Sequence, residues 1–100
     1  MNASVSPARY SECITRLEAL AAEIAARGWT TRVDATRGRP PSLLAQNPEP
    51  GAAALSEHIY AHPGSDGTWM YWWPWADPIA ATAADAAAIV VRVLRAVGTS

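Results

Sequence analysis

The chain has no lysine, no phenylalanine and a single cysteine among its 100 residues. All 8 basic residues are therefore arginine, set against 9 acidic ones for a net charge of −1. That balance excludes an attraction to nucleic acid or to an anionic membrane through bulk charge. One cysteine excludes an intrachain disulfide and any cysteine cluster for a metal. The missing residue types, beside abundant alanine, read as the coding bias of a GC-rich genome before they read as chemistry. The longest strongly apolar run, Ala86 to Val91, is far too short to span a bilayer. The first residues have neither the cationic start nor the apolar stretch of a signal peptide, so the sequon Asn2-Ala3-Ser4 carries no weight. The expectation is one soluble, cytoplasmic domain over 1–100, with 1–6 as a disordered tail.

What is present has a clear order. Ser6 and Pro7 form a helix start, and Tyr10, Cys13, Ile14, Leu17, Leu20, Ala21 and Ile24 recur at three and four residues. Cys13 falls on the apolar side and reads as a small buried hydrophobe. Gly28 ends this helix, and Trp29 is placed to fold back on Ile24. Alternation then predicts a strand from Trp29 to Thr36, broken by Arg37-Gly38-Arg39-Pro40-Pro41. Ser42 to Asn47, Leu55 to His62 and Thr68 to Trp75 read as three further strands, separated by Pro48-Glu49-Pro50-Gly51 and by Pro63-Gly64-Ser65-Asp66-Gly67. Ala52-Ala53-Ala54 is left open between a loop and a helical turn. A closing helix from Ala83 to Val97 starts on the Thr82/Asp85 pair and carries Ala86, Val90, Val93, Leu94 and Val97 on its apolar face. The predicted fold is α+β: a two-layer sandwich with a four-stranded antiparallel meander and both helices on one face.

Four of the five tryptophans lie between Trp69 and Trp75. Strand parity sends Trp69, Tyr71, Trp73 and Trp75 one way and Met70 and Trp72 the other. Trp69, Tyr71 and Trp73 read as core filling in a chain without phenylalanine. A two-layer fold leaves the second sheet face to solvent, so Met70 and Trp72 there point to an interface. Tyr60 and His58 on the neighbouring strand join them, and Trp75 is counted to the same surface. A stacking platform for a sugar, a flat ligand or bases is a further reading, and bases would call for a basic groove that the chain lacks.

Arg37-Gly38-Arg39-Pro40 resembles the core of an AT-hook, in which two arginines lie in the minor groove of A·T-rich DNA. The resemblance covers four residues, flanked by Thr36 and Pro41 without further basic residues, so a turn with two solvated arginines is favoured. His58 and His62 fall on one face of a strand about 13 Å apart at ~3.3 Å per residue, too far to share a metal. Glu57 stands beside them. No serine or cysteine has a nucleophile setting and no glycine-rich phosphate loop exists, so no catalytic site, metal or cofactor is expected.

Arg39-Pro40-Pro41, Asn47-Pro48, Glu57 and Trp72-Trp73 together resemble a pattern found in small, largely uncharacterised actinobacterial proteins of this length. The resemblance runs from Leu17 to Leu94, and it implies a stand-alone α/β domain without supplying an activity. In outline the element order is also similar to type III secretion chaperone-like domains, which are dimeric protein binders; that likeness is topological only. The functional expectation is a non-enzymatic protein-interaction domain, self-associating as a homodimer or bound to a larger partner. The alternatives are a small-molecule module, in which tryptophans line a pocket and Arg39 or His58 fixes a polar group, and, more weakly, DNA binding through Arg37 and Arg39.

Overall fold

The structure is a computed structural model that describes residues 7–36, 38–47 and 56–98. Its elements, in chain order, are α1 (Pro7–Ala26), β1 (Thr30–Asp34), β2 (Ser42–Gln46), β3 (Ser56–Pro63), β4 (Trp69–Trp72), β5 (Pro78–Ala80) and α2 (Ala83–Gly98). The fold is α+β: one antiparallel sheet in the order β1-β2-β3-β4-β5, with a helix at each end of the chain. The expected Leu55 to His62 strand begins at Ser56, and both Leu55 and Ala52-Ala53-Ala54 lie outside the described residues.

The sheet has five strands where four are predicted. The strand expected to run from Thr68 to Trp75 stops at Trp72. Pro74 has no N–H to continue a ladder. The chain instead turns: the Trp73 N–H donates to the Asp77 carbonyl at 2.9 Å and the Ala76 N–H to the Trp73 carbonyl at 3.0 Å. Ala76 closes this three-residue loop in the left-handed region, at φ 72°. Pro78 then opens β5, which pairs with β4 through Tyr71↔Ala80 and Trp72↔Pro78 across an irregularity.

Proline also divides β3 between its two neighbours. Residues 56–59 of β3 pair with β2, and residues 60–63 pair with β4. Extending Leu43↔Ile59 by two residues would set Pro41 opposite Ala61; extending Tyr60↔Trp72 would set Pro74 opposite His58. Neither proline can donate. The Gly64 N–H donates to the Thr68 carbonyl at 2.8 Å, which fixes the alternation of the hairpin. By that alternation the Ala61 carbonyl points toward β2, where Pro41 offers nothing. The Cys13 thiol reaches it instead, with Sγ 3.2 Å from the Ala61 oxygen. Burial raises the Cys13 pKa, which keeps the thiol protonated and able to donate.

The core lies on one side of the sheet. Leu43 and Ala45 of β2, Ile59 and Ala61 of β3, and Tyr71 of β4 are buried with Cys13, Leu17, Leu20 and Ile24 of α1. Ala86, Ala87, Val90, Val91 and Leu94 of α2 join the same cluster, where α2 packs on α1 and β5. Trp29 and Trp73 are buried and Trp69 is half-buried against the core. Gly28, at φ 88°, makes the reversal that returns Trp29 beneath the helix. The Tyr71 hydroxyl donates to the Arg16 carbonyl at 2.7 Å, tying β4 to α1, and the Arg16 guanidinium lies 5.0 Å from the Trp69 ring centroid. No helix among the described residues is long and apolar enough to cross a membrane.

Two outcomes test this packing. An alanine in the left-handed region costs about 1 kcal/mol relative to glycine, so Ala76→Gly is expected to raise the urea-unfolding free energy by that amount. Burial raises the Tyr71 pKa above the ordinary tyrosine value, against a smaller opposing pull from Arg16. A raised folded pKa means stability that is complete below about pH 10 and lost as pH climbs above it. Tyr71→Phe is expected to cost about 1 kcal/mol at neutral pH and to flatten the decline above pH 10, measured by denaturation across pH.

Candidate functional site

Alternation places one set of side chains on the sheet face away from the core. They are Arg32 and Asp34 of β1, Ser42, Leu44 and Gln46 of β2, His58, Tyr60 and His62 of β3, and Met70 and Trp72 of β4. The registers bring them into rows. Arg32 faces Leu44 and Leu44 faces His58. Tyr60 faces Trp72 and His62 faces Met70. Of the sequence-predicted residues, Met70, Trp72, Tyr60 and His58 thus share this face, all half-buried.

Trp72 is held by its neighbours. Its ring stacks on His62 at 4.6 Å between centroids and 4° between planes. Its Nε1–H donates to the His62 carbonyl at 3.0 Å. The strand offset makes this possible: with Tyr60 opposite Trp72, His62 sits one diagonal step away, within reach of a large ring. His58 is fixed by a 3.1 Å hydrogen bond between its Nδ1 and Ser42 Oγ, and the Glu57 carboxylate accepts from the His58 backbone N–H at 3.2 Å. The Asp34 carboxyl is held below the ordinary value, first by the Thr36 hydroxyl and then by the Thr36 N–H. The face therefore carries an apolar middle of Leu44, Tyr60, Met70 and Trp72, with an arginine and a carboxylate at its β1 edge. Leu44 and Ser42 were not singled out from the sequence, and His62 was considered only as a metal or catalytic candidate beside His58 and Glu57. The parity of β2 carried the signal for the first two; the stacking of His62 required the hairpin register.

Trp75 is elsewhere. It sits at the tip of the turn after β4, 57% exposed, stacked on Trp73 at 5.2 Å with 4° between planes. Strand β4 ends at Trp72, so Trp75 lies in the turn and not on the sheet face with which the sequence reading counted it. Arg39 is exposed in the β1–β2 connection, where its charge falls on Asp34; Arg37 lies outside the described residues.

A cavity of about 220 Å³ opens at the seam left by Pro40 and Pro41. Cys13, Tyr10, Tyr60 and Trp69 are among its walls, while His58, Arg39 and the other tryptophans are not. Among the described residues no three His, Cys, Asp or Glu side chains converge as a metal site. No family model, curated protein or solved structure matches the chain.

His62→Ala removes the ring that covers Trp72 but keeps the carbonyl that its indole donates to. The expected result is a loss of about 1 kcal/mol in unfolding free energy, with a red-shifted tryptophan emission and an unchanged Trp72 Nε1–H exchange rate by NMR.

Proposed function

We propose that the chain is a non-enzymatic interaction domain that self-associates through the outer face of its sheet, and that a second copy of the same chain is the occupant. One observation carries the reading: Leu44, Tyr60, Met70 and Trp72 project from three adjacent strands on the side away from the core. In this reading the two helices lie together on the other side and leave that face to the partner.

Area and charge favour a second copy. Five strands about 4.8 Å apart and about five residues long at ~3.3 Å per residue give a flat footprint of about 400 Å². Side-chain relief brings this toward the ~600 Å² per partner where standard interfaces begin. Arg32 and Asp34 stand two residues apart on the same face of β1. On a two-fold axis the arginine of one copy meets the carboxylate of the other, so one patch is complementary to itself. The ligand-pocket alternative has less support: the seam cavity, at about 220 Å³, falls below the ~300 Å³ at which ligand sites begin.

Sedimentation equilibrium tests the reading. The wild-type mass is expected to be twice 10.6 kDa and to fall on dilution. Trp72→Ala is expected to weaken association by about 2 kcal/mol or more with the fold intact by circular dichroism. Because Trp72 also holds His62, Met70→Asp serves as the second variant; it places a charge on the face, opposite His62, while leaving the Trp72 ring in place, and is expected to be monomeric. A wild type of single-chain mass, or a dimer unaffected by Met70→Asp, would overturn the proposal.

A further inference from the structure

Three of the eight arginines gather on the helical side of the molecule. Arg27 follows the end of α1, and Arg92 and Arg95 project from the last turns of α2. With Ala88 and Val91 they line an open groove of about 470 Å³. Arg27 is engaged by Glu23, through the side chain at 3.1 Å and the backbone carbonyl at 2.8 Å. Arg92 and Arg95 are exposed. Among the described residues no ion pair links a carboxylate to Arg92 or Arg95. Among the described residues the groove thus presents three arginines, of which Arg27 is paired with Glu23.

We infer that this groove binds an acidic segment of a partner protein, seating an apolar side chain of the segment between its carboxylates. Charge complementarity selects the sign. The arginine fork matches a carboxylate through two parallel N–H donors, and a helix dipole that favours cations at this end consumes none of those donors. The floor selects the class. Ala88 and Val91 offer methyl groups and no ring, which suits an aliphatic side chain and gives bases nothing to stack on. The volume falls within the ~300–1,000 Å³ of ordinary binding sites. The groove shares no residue with the outer sheet face, so this inference stands independently of self-association.

The test uses the full chain and a fluorescein-labelled peptide that interleaves glutamate with leucine, followed by anisotropy. Arg92→Gln/Arg95→Gln is the variant, both positions being exposed; its fold and its mass in solution are expected to match the wild type. Saturable binding is expected, weakened about tenfold or more in the double variant and several-fold between about 50 and 300 mM salt. The same peptide with glutamine for glutamate is expected not to bind. Three results would each overturn the inference: equal affinity for wild type and double variant, equal binding of the glutamine peptide, or tighter binding of a single-stranded oligonucleotide of equal charge.

Discussion

Strand β3 is shared between two neighbours by halves, and prolines set the division. Pro41 ends what β2 can offer to Ala61, and Pro74 ends what β4 can offer to His58. A backbone carbonyl left inside a protein without a partner costs about as much as a lost hydrogen bond. The fold meets that cost at Ala61 with a thiol from 48 residues earlier in the chain. The hairpin register, with Tyr60 opposite Trp72, puts His62 one diagonal step from Trp72. A seam and a cysteine with a structural task descend from where the N–H donors run out.

The second organising fact is that the sheet buries one face. Leu17, Leu20 and Ile24 carry no exposed surface, nor do Leu43, Ala45 and Ile59 opposite them. Each large aliphatic side chain so buried contributes about 1.5–3 kcal/mol, which fixes the strands' orientation: a slip of one residue would turn all of them outward. The alternate positions are fixed by the same constraint. Leu44, Tyr60, Met70 and Trp72 face outward because their neighbours must face inward, and the molecule shields them only in part, by the His62 ring and the Ser42–His58 bond. Partial local cover explains how such a face remains tolerable in a free chain.

Much of this was legible in the residues. The spacing of Cys13, Leu17, Leu20 and Ile24 marks a helix with one buried stripe, and Gly28-Trp29 marks its end. The parity of Met70 and Trp72 against Tyr71 is enough to separate the two faces of β4. Four features were not legible, each for a physical reason. Strand β5 has three residues and opens on proline, so it has neither the length nor the alternation to announce itself. The turn before it uses alanine at the left-handed position where glycine is the usual signal, so the predicted strand was carried on to Trp75 although β4 ends at Trp72. The Cys13–Ala61 bond and the His62–Trp72 stack depend on tertiary register, which local pattern does not encode.

The claim at the centre of this account is that the outer sheet face is covered by another copy of the chain. Isotope-filtered NOE measurement on an equimolar mixture of labelled and unlabelled protein addresses it atom by atom. The account predicts intermolecular NOEs to the Met70 methyl and the Leu44 methyls, with none to the Leu43 methyls on the buried face. Intermolecular NOEs confined to other surfaces, or their absence at concentrations where the mass is that of two chains, would contradict it.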